Sequence, residues 1–164
     1  MTLSRLDPHY SHDPKLQKIN LGAFLSNHLN EIKKMTEKNA IVLTTQLDDA
    51  ICLINTDSMM ILVRNLIDNA ARYTPTGSKV NISCGVFDNR VFLRIADSGP
   101  GIPVDMREKV FERFFRLQES TPPGSGLGLS IVKNIAATHR AEIKLSDGIE
   151  GLGIAITIFL QPLT

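Results

Sequence analysis

The chain has 164 residues, of which 43% are hydrophobic and 21% charged, and its formal net charge is +1. That length supports one domain with a real core and little more. The near-neutral charge argues against a nucleic-acid surface, which would carry a basic stripe. No apolar run approaches the ~20 residues of a membrane helix, and no signal-peptide pattern opens the chain. As it stands, the sequence reads as soluble and suited to a reducing cytosol. Its two cysteines, Cys52 and Cys84, sit in apolar strand-like stretches and read as buried reduced thiols.

In chain order, Thr2 to Asp7 reads as the frayed end of something, and Pro8 to Pro14 as a linker. A short strand is predicted over Gln17 to Leu21. Phe24, Leu25, Leu29, Ile32 and Met35 form a helical stripe within Gly22 to Asn39. Ala40 to Leu47 and Ala50 to Asn55 read as two paired strands around a turn at Asp48-Asp49. Thr56, Asp57 and Ser58 offer N-caps for a helix with a buried face of Met59, Leu62, Val63, Leu66, Ile67 and Ala70, ending near Tyr73. Lys79 to Phe87 and Arg90 to Asp97 form a hairpin through Asp88-Asn89. A short helix from Asp105 to Phe115, a loop over 118–124 and a helix from Gly126 to His139 follow. Ala141 to Asp147 and Gly153 to Leu160 close the chain as a hairpin. This order predicts a mixed sheet with helices on one face, a two-layer α/β sandwich.

The stretch GSGLGLSIV, 124–132, places Gly124, Gly126 and Gly128 on alternate positions. It is not a Walker A loop, because no Gly-Lys dipeptide occurs. The dinucleotide fingerprint fails too: its third glycine would fall on Leu129 or Ile131, and Thr121-Pro122-Pro123 gives no leading strand. No His-Arg-Asp catalytic loop is present. What remains is a glycine turn opening a helix, with bare N–H groups from Ser125 to Leu129 able to face an anion. A tight packing turn is the plain alternative.

Three other stretches favour the anion. Asn65, Asn69 and Arg72 share one helix face beside the apolar stripe, where two amides and a guanidinium suit a hydrated cation and phosphates. The plain alternative is a solvated face, but such faces usually carry Lys and Glu. Asp97-Ser98-Gly99-Pro100-Gly101-Ile102-Pro103 ends a strand with a carboxylate and two glycines, which suits an exocyclic amine such as that of adenine. A turn after an edge strand is the alternative. Phe111-Glu112-Arg113-Phe114-Phe115-Arg116 lies between the glycine loops. Its Phe residues suit core packing, and its arginines suit phosphate.

Together and in this order, the four stretches resemble the N, first glycine, F and second glycine boxes of bacterial sensor histidine kinases, over Ile19 to Leu160. The resemblance implies the Bergerat-type ATP-binding sandwich shared with gyrase, a heat-shock chaperone and the mismatch-repair ATPases. It implies ATP and Mg²⁺ as ligands. By position, Asn69 matches the Mg²⁺ ligand, with Asn65 supporting the phosphate–metal end. Arg72 takes a basic place near the phosphates, and Tyr73 flanks the nucleotide. Asp97 matches the adenine-reading carboxylate, with Gly99 and Gly101 giving close approach and Ile102 an apolar wall. Arg116 matches a lid arginine near the γ-phosphate. Gly124, Ser125, Gly126, Leu127, Gly128 and Leu129 match the turn from lid to helix, and Thr157 a residue lining the adenine pocket.

The resemblance divides the chain into residues 1–14, a remnant of the dimerisation hairpin and its linker, and an ATP-binding catalytic domain over 15–164. TLSRLD, residues 2–7, resembles the end of the second hairpin helix, and the phosphoacceptor motif is absent. Neither His9, His12, His28 nor His139 has its context. The fragment is therefore expected to be the monomeric, cytoplasmic catalytic piece of an inner-membrane sensor, acting with its own phosphoacceptor hairpin and a response regulator. Related ATPases carry a Glu general base where this chain has Asn65, so binding with poor hydrolysis is expected. The rivals are a hydrolytic ATPase of the same fold, a non-catalytic nucleotide-binding module, and an anti-sigma-type serine kinase. Two departures stand out. Arg140-Ala141 replaces two glycines, so that turn is expected to be rebuilt, and Ile154 replaces a small hydroxyl residue.

Overall fold

The structure, a computed structural model, describes residues 15–73, 75–112 and 128–161. Seven strands and four α-helices are set out along it. They are β1 (Gln17–Asn20), α1 (Leu21–Asn27), α2 (Leu29–Glu37), β2 (Val42–Leu47), β3 (Ile51–Ile54), α3 (Thr56–Tyr73), β4 (Lys79–Phe87), β5 (Arg90–Asp97), α4 (Gly128–Thr138), β6 (Glu142–Asp147) and β7 (Ile154–Leu160). The main sheet has the order β2-β4-β5-β7-β6, and β1 pairs with β3 in a separate two-stranded sheet. β2 runs parallel to β4, while the β4–β5, β5–β7 and β6–β7 pairs are antiparallel. The fold is the predicted mixed-sheet α/β sandwich.

Alternation along the strands decides which face is covered. Val80, Ile82, Leu93, Ile95, Ile156 and Ile158 are buried against a helical layer whose apolar stripe includes Met59, Leu62, Val63, Leu66 and Ile67. The opposite face carries Phe92, Arg94, Lys144, Thr157 and Phe159 in register. There the Arg90 guanidinium lies 4.1 Å from the centre of the Phe159 ring and pairs with Glu142 at 2.6 Å. Cys52 and Cys84 are buried free thiols, and burial pushes both up to about 11.

Several expectations are corrected. β2 and β3 do not form a hairpin. A two-residue hairpin turn needs positive φ at its first central residue, and in type I′ at both. Asp88 and Asn89 supply it, at 52° and 63°, whereas Asp48 and Asp49 do not. Instead Asn20 pins the corner: its Oδ1 accepts from the N–H groups of Gly22 and Ala50, and its Nδ2 donates to Asp49. β3 is thereby turned onto β1, and α3 serves as the crossover between the parallel strands β2 and β4. The predicted helix over Gly22 to Asn39 breaks at His28, because the His28 ring donates through Nδ1 to the Phe24 carbonyl, at 2.9 Å. The backbone N–H of His28, deprived of that acceptor, turns to Leu25. Asn55, rather than Thr56, Asp57 or Ser58, caps α3, its Oδ1 accepting from the Ser58 N–H at 2.9 Å. The described part of the short helix predicted from Asp105 to Phe115 is two 3₁₀ turns, Val104–Met106 and Lys109–Phe111, and residues 113–115 lie outside the described residues.

The turn after α4 is not rebuilt. Ala141 N–H reaches the Ala136 carbonyl and Arg140 N–H the Ala137 carbonyl, the pattern of a Schellman cap. Arg140 itself takes the left-handed conformation usually left to glycine, at φ 54°. Beside it, buried His139 ties the end of α4 to the start of α3. Its Nε2 accepts from the Asn55 N–H at 3.0 Å, so the proton sits on Nδ1, which donates to the Ile135 carbonyl at 2.9 Å. Burial holds this imidazole below its ordinary 6.5. The unfolded chain therefore binds the proton more readily than the folded one. The contribution of His139 is complete above pH 6.5 and is lost as pH falls from there through the lowered folded value. Urea unfolding of a His139→Gln variant should show less loss of stability below that pH than the parent, whose slope from this group is at most about 1.4 kcal/mol per pH unit.

Candidate functional site

Asp97 ends β5 opposite Val80, and so faces the helical layer. It is 6% exposed. Its Oδ1 accepts from two backbone amides, Gly99 N–H at 2.9 Å and Ile154 N–H at 3.2 Å. Oδ2 makes no hydrogen bond to any described residue. Burial pushes the carboxyl above its ordinary 3.8, and the two amides pull the other way.

The backbone around it is packed without side chains. A Cβ on Gly153 would stand 2.2 Å from Asp97 Oδ1, and one on Gly148 2.1 Å from the Asp97 carbonyl oxygen. Gly153 also has φ 68°, and Gly101, at φ 78°, lies against the Gly153 carbonyl. The loop after β5 therefore rests directly on the entry to β7. Gly99 is buried, and Ile102 turns an apolar side chain into the core. Ser98 fastens the loop to β4, accepting from the Lys79 N–H through Oγ and donating its own N–H to the Lys79 carbonyl.

The helix α3 packs against β5 and against α4. Asn69 is half-buried, and its side chain makes no hydrogen bond to a described residue. Asn65 donates through Nδ2 to the Ile61 carbonyl one turn back, at 2.8 Å. Its Oδ1 faces the first residue of α4, where a Cβ on Gly128 would stand 3.3 Å away. Arg72 pairs with Asp68 at 2.8 Å. Leu129 is buried at the start of α4.

The structure thus brings Asp97, Gly99 and Gly101 together with Ile102 in the adjoining core, and places Asn65, Asn69 and Arg72 on α3, where Asn65 meets Gly128 of α4. Thr157 does not join them. The register sets it opposite Arg94 and Lys144, on the face of the sheet away from the helices, whereas Asp97 is on the helix-facing side. Arg116, Gly124, Ser125, Gly126 and Leu127 lie outside the described residues, as does the Tyr73 side chain. Gly148, Gly153 and the Ile154 amide were not singled out for the site from sequence. The glycines 148, 151 and 153 after β6 were the available signal. Among the described residues, no cluster of three His, Cys, Asp or Glu side chains stands ready for a metal ion, and no helix is long and apolar enough to cross a membrane.

Chemically, a buried carboxylate with one oxygen engaged and one open accepts a hydrogen bond from a flat ring bearing an amine. The glycine backbone lets such a ring lie close. The unengaged Asn69 amide, beside a helix start, suits a hydrated cation with anionic oxygens.

A family model described as histidine kinase-, DNA gyrase B-, and HSP90-like ATPase matches residues 54–163. The chain is 34% identical over 144 residues to the sensor protein kinase PmrB of Pseudomonas aeruginosa, across 87% of this chain and 30% of that protein. It is 42% identical over 107 residues to the signal transduction histidine-protein kinase BaeS of Escherichia coli, across 63% of this chain and 23% of that one. The chain thus spans a third or less of these relatives' length. Among solved structures, the mycobacterial sensor histidine kinase MprB matches with a TM-score of 0.77 at 30% identity, covering 90% of this chain and 100% of that one.

The glycine cradle can be tested by two substitutions. Gly153→Ala should lower the unfolding free energy by about 2–4 kcal/mol, from left-handed strain plus the clash with Asp97. Gly151 is left-handed too, at φ 80°, but has nothing within 4 Å of its Cβ direction. Gly151→Ala should therefore cost only about 1 kcal/mol of strain, and urea denaturation of the pair would separate the two contributions.

Proposed function

Because the chain belongs to the histidine kinase-, DNA gyrase B- and HSP90-like ATPase family, we propose that it binds Mg-ATP and donates the γ-phosphoryl group to a histidine on a dimerisation domain outside the described residues, in two-component signalling. The observation that carries this reading is Asp97: a buried carboxylate, fixed through one oxygen, with the other bonded to no described residue, against a wall of bare backbone. Oδ2 would accept the exocyclic amine of adenine, and Ile102 would flank the ring. Asn69 would hold Mg²⁺ together with phosphate oxygens; when bound, the ion spreads the charge that builds on the phosphoryl group. Gly128 and Leu129 bring the positive end of α4 towards the phosphates. Arg116 and the lid residues 124–127 would complete the charge clamp.

Transfer needs little from the protein beyond positioning. A neutral imidazole nitrogen of the acceptor attacks phosphorus, the bond to the bridging oxygen breaks, and ADP leaves. Neither described histidine has the sequence context of that acceptor, and His139 is also buried with both ring nitrogens engaged. Water is a poor competitor because Asn65 offers an amide where a general base would need a carboxylate. In the parent, the domain would work on the cytoplasmic side of a membrane sensor, with its own hairpin as substrate and a response regulator as onward acceptor. The isolated chain would be monomeric.

Calorimetric titration with Mg-ATP should give saturable binding. Asp97→Asn, which turns the amine's acceptor into an amide, should weaken it at least tenfold, about 1.4 kcal/mol, within the worth of a hydrogen bond to a charged group. The isolated domain should turn ATP over slowly and phosphorylate an added hairpin. Fast hydrolysis without a hairpin would mark a water-activating ATPase instead.

A further inference from the structure

Arg107 is absent from the resemblance and from the site as set out so far. It sits after the first 3₁₀ turn, 20% exposed at its side chain, and reaches in two directions. Its Nε donates to the Ile102 carbonyl at 3.0 Å, and its Nη2 pairs with Asp147 at 3.0 Å. Ile102 belongs to the loop after β5. Asp147 is the last residue of β6, next to Gly148, whose backbone lies against Asp97. The two segments that Arg107 joins are therefore the two that pack around Asp97. They also touch directly, Gly101 on Gly153, and Asp97 Oδ1 bonds an amide from each.

We propose that Arg107 and Asp147 form a clasp that sets the spacing of the two segments packed around Asp97, making Arg107 a positioning residue for base recognition. This rests on the nucleotide reading above. The guanidinium fork suits the role because it can hold a carbonyl and a carboxylate at once in fixed geometry, which a lysine ammonium cannot. The carboxylate of Asp147 is largely exposed, at 72%, so the pair adds little to global stability. Its effect is local: it holds the Ile102 carbonyl, and with it the chain from Gly99 to Ile102, against the strand that carries the Ile154 amide.

The test uses Arg107→Met, Arg107→Lys and Asp147→Asn in the whole chain, with two readouts. The first is Mg-ATP and Mg-GTP affinity by calorimetry. Arg107→Met should weaken Mg-ATP by about tenfold, the worth of one charge-assisted hydrogen bond, and narrow the preference for ATP over GTP, with the urea midpoint little changed. Arg107→Lys should fall between it and the parent. The second readout needs no nucleotide: the Gly99 amide should exchange its hydrogen several-fold faster in Arg107→Met and Asp147→Asn, while amides in α3 keep their parent rates. Unchanged exchange at Gly99 overturns the clasp whatever the nucleotide data show. Unchanged base preference with intact parental binding also overturns it, and leaves the nucleotide reading standing. No Mg-ATP binding by the folded parent defeats the nucleotide reading itself and the base-recognition role with it.

Discussion

The hydrogen bonds that Asp97 Oδ1 receives from Gly99 and Ile154 are the constraint on which the site is built. A carboxylate buried this far costs several kcal/mol unless its charge is met. Here two amides from different loops meet half of it. The arrangement can exist only if both loops come within contact of the strand end, which is why Gly148 and Gly153 have no room for a Cβ. It also leaves the second carboxylate oxygen without a donor among the described residues. Closing that oxygen with a ring amine would complete the group's hydrogen bonding.

The two helices α3 and α4 are joined differently at their two ends. At the far end, His139 joins the last turn of α4 to the Asn55 cap of α3, with both ring nitrogens engaged. At the near end, the same two helices meet through Asn65 and Gly128, where only a glycine clears the Asn65 oxygen at ordinary distance. The pair is thus tied by a buried polar joint at one end and brought close by a bare backbone at the other. A second, separate cleft lies on the outer side of the layer, lined in part by Phe24, Met60 and Arg64. It shares none of the residues around Asp97.

Much of this was legible in the sequence where the local signal was also the deciding one. The Asp88-Asn89 turn fixed its hairpin because both residues tolerate positive φ. The apolar stripe of α3 placed Asn65, Asn69 and Arg72 on one face. Asp97 before two glycines marked the site. The failures came where a distant group decided. Nothing local shows that Asn20 will capture Ala50 and send β3 to β1; the His28 ring bond to Phe24 is local, but it runs against the helical stripe that the sequence shows. Thr157 was placed by resemblance alone, and strand register, which alternates faces residue by residue, set it on the other side of the sheet. Arg107 could not be read at all, since its two partners lie 5 and 40 residues away and belong to different loops.

The central claim is that Asp97, with its two amide donors, is where the base of a nucleotide docks. The direct measurement is amide chemical-shift mapping by NMR as Mg-ATP is added to the labelled chain. The account predicts the largest shifts at Gly99, Gly101 and Ile154, with a matching change in the Asn69 side-chain amide. Shifts confined to the outer cleft around Phe24 and Met60, with Gly99 and Ile154 unmoved, would contradict it.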